Sequence, residues 1–386
     1  MTDRPVHDRA SYPPAKLSMT PLFELADLFG RPFAESLFLA NSARVTASGR
    51  SAIAQALRLL NIGSGDRVLV PAYHCPAMIE PVNWAGAEPL FYPLTETLDV
   101  DPDALEKLRD DRCKAVLAAH FFAQGRDMGP LREWCDQHGI ALIEDCAHAL
   151  FSHVNHQPVG QTGDYAIASL WKFLPTGEGG VLYSARHALP DLGLGDGPSD
   201  LKALYRLIEE ASGKGRWSLL KPTFMLLNKL RGRHSAVEPA DGGKPPSSGM
   251  PDYSLSDADA FAGAGELVDH LRSTSFDQGK ADRRRELFRR IREATESMPG
   301  CQAFPLSLDE SDVPYVVPLL LEQPERHFPL LKQAGFPVWR WEDLMSDTCP
   351  VSNDYRWRLI QLPCQQSLSD AELEWILSTL DQKLRS

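Results

Sequence analysis

The chain has 386 residues, enough for a large buried core and, as a first expectation, two domains. With 43% hydrophobic and 24% charged residues it reads as an ordinary globular protein, and a net charge of −12 argues against general nucleic-acid binding. No apolar run reaches the roughly 18 residues of a membrane span.

Residues 1–45 form a polar N-terminal segment. Met1 to Leu17 holds no apolar core of a secretion signal, so a cytoplasmic location is expected. The seven cysteines are scattered, with no C-x-x-C pair, and read as reduced thiols. From about residue 48 to 185, short apolar strands alternate with helices. The strands are expected at Arg67–Pro71, Glu88–Tyr92, Lys114–His120, Ile140–Asp145, Tyr165–Leu170 and Gly180–Ser184. The helices are expected at Arg50–Leu60, Ala77–Ala85, Pro102–Asp110 and Pro130–His138, with Asp101 and Asp127 as caps. Near-continuous apolar strands separated by helices imply an α/β domain with a mostly parallel sheet covered on both faces. Ligands of such sheets bind beyond the carboxyl ends of the strands. Tyr73, His120, Asp145 and Ser169 all fall at or just past such ends.

Residues 186–252 break the pattern and read as an insertion in a first domain spanning 46–252. Pro190–Ser199 and Pro239–Pro251 are loop-like in composition. Between them, Leu201–Ser235 carries eight Lys and Arg against Glu209 and Glu210, a local charge of +6. Apolar residues interleaved with those cations suit an anionic surface, a membrane face or substrate phosphates, although a solvated helical cover is the simpler reading. Residues 253–386 read as a smaller α+β domain. It has a helical stretch to about Ser297, strands near Cys301–Phe304 and Val313–Leu321, and helices near Arg326–Ala334 and Asp370–Leu384.

The residues that carry chemistry lie in Ile143-Glu-Asp145-Cys-Ala-His148 and in Ser169-Leu-Trp-Lys172-Phe-Leu-Pro-Thr-Gly177-Glu178-Gly179-Gly180. One lysine able to form an imine, with one carboxylate buried at a strand end, is what pyridoxal phosphate chemistry needs. The lysine holds the cofactor aldehyde, and the carboxylate keeps the pyridine nitrogen protonated. Ser48-Gly49-Arg50-Ser51 opens a helix and presents free amides to an anion such as a phosphate. Tyr73 or His74 could stack on a cofactor ring, and His148 could donate to its phenolic oxygen. Cys146 and His148 have no second pair at zinc spacing, so no metal is expected.

These motifs resemble the DegT/DnrJ/StrS family of PLP-dependent aminotransferases, many of which act on nucleotide-linked keto sugars. The resemblance runs from about residue 45 to 185 and returns in Leu362-Pro-Cys-Gln-Gln-Ser-Leu-Ser-Asp370. It implies the large PLP-dependent transferase fold (fold type I), with Lys172 as Schiff-base lysine, Asp145 as pyridinium partner and Ser169 as phosphate ligand. It also implies pyridoxal 5'-phosphate as cofactor, glutamate as donor, a keto-sugar acceptor and a homodimer with cofactor near the subunit interface. His120 and Glu178 are expected on the substrate side. The alternatives are a PLP-binding regulator without turnover, or decarboxylation or retro-aldol cleavage. Three departures stand out. Ser169 and Lys172 are three apart where the family usually has five. Cys75 occupies the usual stacking position, and no Asn-x-Arg motif is recognisable near Pro251–Asp259.

Overall fold

The computed structural model describes residues 12–31, 33, 36–217, 220, 222–224, 255–342 and 349–386. In chain order the first part contains β1 (Arg44–Thr46), α1 (Gly49–Leu59), β2 (Arg67–Pro71), α2 (Pro76–Trp84), β3 (Glu88–Tyr92), α3 (Pro102–Leu108), β4 (Cys113–Ala119), α4 (Gly129–His138) and β5 (Ala141–Asp145). A small hairpin, β6 (His153–Val154) and β7 (Gln157–Pro158), then leads to β8 (Tyr165–Ser169) and β9 (Gly180–Tyr183). The helix starts follow local chemistry. Ser48 caps α1 by accepting from the Ser51 amide, Asp101 caps α3, and Pro76, Pro102 and Pro130 stand in first turns, where a missing N–H costs nothing. Asp127 accepts from the Gly129 amide at the start of α4. The six expected strands of this region lie within one residue of their anticipated ends.

These strands form one seven-stranded sheet in the order β1-β9-β8-β5-β4-β2-β3. Pairing is parallel from β8 through β5, β4 and β2 to β3. Strand β9 runs antiparallel to both β8 and β1. Strands β4, β5 and β8 are almost wholly buried, as a sheet covered on both faces requires. The parallel strands deliver Pro71, Ala119, Asp145 and Ser169 to one edge, where the next residues turn over the sheet.

The helical stretch expected to Ser297 is three helices, Asp257–Ala260, Glu266–Thr274 and Gln278–Thr295. A second, antiparallel sheet follows, β10 (Cys301–Ala303), β11 (Val316–Leu321) and β12 (Leu359–Pro363), in that order. Strand β11 divides its side chains by its two-residue period. Val316 and Leu320 join the core of the large sheet. Val317, Leu319 and Leu321 pack with Leu287, Phe328 and Leu380 from the helices Gln278–Thr295, Pro324–Gln333 and Asp370–Leu384. The small sheet therefore leans on the large one and carries Tyr315, just before β11, towards the strand ends.

The described part of the basic stretch is α5 (Asp200–Gly213) and a few residues after it. Its Leu207 packs with Phe23 and Leu271. Lys214 donates to the Ala15 carbonyl at 2.6 Å, and Arg216 pairs with Glu372 at 2.6 Å. Residues 225–254 lie outside the described residues, and with them the Pro239–Pro251 loop and the end of the Leu201–Ser235 stretch.

Candidate functional site

Asp145 ends β5 and is buried. Its side chain accepts a single hydrogen bond among the described residues, from the Ala147 amide at 2.8 Å. Burial pushes its carboxyl above the usual range, while the nearby Lys172 cation pulls it back down. Lys172 stands in the short turn Leu170–Lys172 after β8, the neighbouring parallel strand. Its Nζ lies 5.4 Å from the Tyr315 ring centroid and 5.9 Å from that of Trp171. Adjacent parallel strands thus bring together a carboxylate and a lysine some distance apart in sequence.

His148 follows Asp145 in the turn after β5. Its ring lies 4.5 Å from Tyr315, 5.4 Å from Trp341 and 5.7 Å from Phe122, stacked on the last. Burial, then Lys172, holds its imidazole well below the usual range. It is therefore neutral at pH 7 and offers one N–H and one lone pair.

The third part is the start of α1. An added Cβ on Gly49 would sit 3.8 Å from Ser169 Cβ, so the start of α1 lies against the end of β8. An added Cβ on Gly180 would fall 2.1 Å from the Ser48 carbonyl oxygen; the backbone of β9 touches this turn directly. The Gly177–Gly180 run thus serves close approach inside the chain. Gly177 meets Leu207 of α5, and Gly179, at φ 108°, meets Val268 and Leu170.

Most of the other expected site residues are engaged by neighbours within the chain. The His74 ring is stacked 5.0 Å from Phe91, and its Nδ1–H points to the Pro71 and Ala72 carbonyls. Burial lowers its pKa to about 4. Tyr73 is buried between Phe121, Trp341 and Tyr355, with its ring 5.0 Å from Trp341, and its hydroxyl finds no hydrogen-bond partner among the described residues. His120 is not free to line a substrate side. Its Nε2–H donates to Glu144 at 3.0 Å and its Nδ1 accepts from the Arg126 amide. The Ser51 hydroxyl donates to the Asp259 carbonyl, and the Arg50 guanidinium donates to Glu80 at 2.7 Å, so these residues offer backbone more than side chain. Glu178 is half-buried. One of its oxygens lacks a hydrogen-bond partner among the described residues, and burial raises its pKa against the pull of Arg206 and Lys202.

His120, Glu144 and Cys146 have ligand atoms within 4.8 Å of one another. Hydrogen bonds already occupy that carboxylate. The amides of Gly160, Thr162 and Gly163 donate to it alongside His120. Burial pushes Glu144 up, but these donors outweigh it and its carboxyl lies below the usual range. Burial also keeps the Cys146 thiol protonated. His120 and Glu144 thus tie the end of β5 to the loop that follows β7.

The sequence reading missed Tyr315, Trp341, Arg284 and Gln366. Arg284 Nη2–H donates to the Lys172 carbonyl at 3.0 Å, and Gln366 donates to the Phe173 carbonyl at 2.9 Å. Gln366 falls in the closing segment already singled out, which was the one available signal. Together the site suits a flat ligand with an electrophilic carbon, a ring nitrogen and an anionic tail.

Residues 22–191 match the sequence profile of the DegT/DnrJ/EryC1/StrS aminotransferase family. The chain is 36% identical over 161 residues to a GDP-perosamine synthase of Vibrio cholerae, covering 41% of this chain and 44% of that protein. It is 35% identical over 146 residues to a UDP-N-acetyl-3-dehydro-alpha-D-glucosamine 3-aminotransferase of Acidithiobacillus ferrooxidans, covering 36% of this chain and 39% of that one. The matched stretch spans less than half the length of these curated relatives. Among solved structures, the aminotransferase TlmJ of Streptoalloteichus hindustanus superposes with a TM-score of 0.64 at 20% identity, over 95% of this chain and 98% of that one. The PMP-form of a putative sugar aminotransferase of Streptococcus pneumoniae gives 0.65 at 17% identity, over 97% and 99%. The fold is that of these aminotransferases, fold type I, and the family resemblance read from the motifs stands over residues 22–191.

Proposed function

We propose that this chain, similar to the DegT/DnrJ/EryC1/StrS aminotransferases, is a pyridoxal-phosphate-dependent sugar aminotransferase. It moves an amino group from an amino-acid donor, glutamate being the first to try, to a nucleotide-linked keto sugar, and it works as a homodimer. The observation that carries the reading is Asp145, buried at the end of β5, beside Lys172 in the turn after the parallel neighbour β8.

The residues present fit the cofactor. Asp145 has lone pairs left for a ring N–H. The amides of Gly49 and Arg50 and the Ser169 hydroxyl suit the phosphate at the start of α1. Neutral His148 has an N–H for the phenolic oxygen. Bound there, pyridoxal 5'-phosphate supplies an electrophilic aldehyde and a ring that accepts the electron pair left when the donor's α-proton departs. Lys172 Nζ would be the group that holds the aldehyde carbon covalently, and when released it would be the base that carries the donor's α-proton. Asp145 would hold a proton on the ring nitrogen. Tyr315, Trp341 and Phe122 keep water from the face that His148 shares. The acceptor class is supported by the two relatives, whose names both carry a nucleotide-linked sugar.

The test is spectroscopic. Purified protein given pyridoxal phosphate should absorb near about 420 nm, and L-glutamate should convert that band to a shorter-wavelength one. The converted protein is then screened against nucleotide-linked keto sugars and simple keto acids. Lys172→Ala should lose the band and all turnover while melting at the wild-type temperature. Turnover by that variant at the wild-type rate would remove Lys172 from the chemistry.

A further inference from the structure

The helix Gln278–Thr295 presents three consecutive arginines to three different surroundings. Arg283 pairs with Glu286 and Asp370, and Arg285 pairs with Asp282, as cations on a solvated helix do. Arg284 is fully buried and meets no carboxylate among the described residues. All five of its N–H groups point at neutral oxygens. Nε donates to Gln366 Oε1 at 2.5 Å. Nη1 donates to the carbonyls of Pro314 at 2.9 Å and Tyr315 at 3.4 Å. Nη2 donates to the carbonyls of Lys172 at 3.0 Å and Phe173 at 3.4 Å. The guanidinium also lies 4.9 Å over the Phe173 ring. Gln366 closes the arrangement by donating to Phe173.

A buried cation without a counter-ion is costly, and hydrophobic packing would hold the two sheets together more cheaply. What the guanidinium does that packing cannot is tie two specific backbones to one rigid plane. One carries Lys172. The other carries Tyr315, whose ring lies against both the Lys172 ammonium and His148.

We propose that Arg284 is a positioning residue that clamps the Lys172 turn to the Pro314–Tyr315 backbone and so keeps Nζ against Asp145 and the Tyr315 ring. This rests on Lys172 being the lysine that carries the cofactor. The other charged or titratable groups facing Lys172 are Asp145 and His148 from the end of β5 and the Tyr315 phenol. Those facing Arg284 are Cys364 and Tyr315. Burial lowers the Arg284 pKa only to about 10, so it stays charged throughout the working range.

The experiment compares wild type, Arg284→Gln, Arg284→Lys and Gln366→Ala. In cofactor-free protein, acetic anhydride labelling of Lys172 at one fixed pH is followed by mass spectrometry. The labelling rate should change severalfold in Arg284→Gln, as the turn that carries Nζ is released, and by less in Arg284→Lys, which keeps donors for part of the clamp. In cofactor-loaded protein, the single-turnover rate with glutamate should fall about tenfold in Arg284→Gln and severalfold in Gln366→Ala, with little change in half-saturating glutamate. A folded Arg284→Gln with wild-type labelling and single-turnover rates overturns the proposal. Should that variant fail to fold, Gln366→Ala decides, and an unchanged rate overturns it. Wild-type protein that forms no covalent link with the cofactor would instead sink the aminotransferase reading, because the labelling comparison does not need the cofactor.

Discussion

Asp145 and Glu144 are neighbours on one strand with opposite electrostatics. Glu144 points to the side of β5 where three backbone amides and His120 converge, and its charge is held there. Asp145 points to the side of Lys172, has one amide donor, and is pushed up by burial. Period-two alternation separates a brace from a working group. Asp145→Asn should cut the glutamate half-reaction on the order of a hundred- to a thousandfold, because a neutral amide cannot hold a proton on the ring nitrogen. Cofactor affinity should change by less than about tenfold, since the lysine and phosphate contacts persist. Stopped-flow absorbance with equilibrium titration of the cofactor separates the two quantities. A near-normal rate would show that Asp145 does not face the ring. Both carboxylates were visible in the Glu144-Asp145 motif. That His120 serves Glu144 was not, because hydrogen-bond partners across strands leave no mark on local sequence.

Among the elements, α1 and β9 define the proposed phosphate end. Each was anticipated from Ser48-Gly49 and Gly177–Gly180. The three residues of β1 were not, since so short a strand shows no alternation. Yet β1 makes the contact possible, for its Thr46 pairs with Gly180 and its run leads directly into Ser48. Gly180→Ala should place a methyl against the Ser48 carbonyl and push α1 away from β9. The expected cost is about 1–3 kcal/mol of stability. Cofactor affinity should weaken by about tenfold or more as the amides leave Ser169. Denaturant unfolding and cofactor titration measure the two effects. Full affinity in a destabilised variant would place the phosphate elsewhere.

For the whole molecule, the joint between the two sheets carries a pH-sensitive tie. Asp312, in the loop before β11, accepts from the His153 amide at 2.9 Å on hairpin strand β6 and from the Asp309 amide at 3.0 Å. Burial raises its pKa from 3.8 to about 6. A raised carboxyl stabilises the folded chain fully below the unfolded value of 3.8, and that contribution is lost as pH climbs to about 6. The stability advantage of wild type over Asp312→Asn should therefore be greater at about pH 4.5 than at about pH 7.5, by about 2 kcal/mol. Urea unfolding of both proteins at the two pH values tests this. An equal difference at both would mean that Asp312 titrates as a solvated carboxyl.

By itself the sequence determined the order of strands and helices between Arg67 and Tyr183, because apolar period, proline at helix starts and Ser or Asp caps act over a few residues. It also marked Asp145, Lys172 and the Ser48–Ser51 turn, whose motifs are contiguous. Direction and partnership were decided only in three dimensions. His74 and Tyr73 read as stacking candidates, yet the turn after β2 drives the first onto Phe91 and the second among Phe121, Trp341 and Tyr355. Arg284 is one of three adjacent arginines with nothing local to distinguish it. Only the packing of its helix against the Lys172 turn and the Pro314–Tyr315 backbone makes it the buried one, more than a hundred residues from the lysine whose carbonyl it holds. Contiguous chemistry is written in local sequence, whereas long-range burial depends on which faces the sheets turn towards each other.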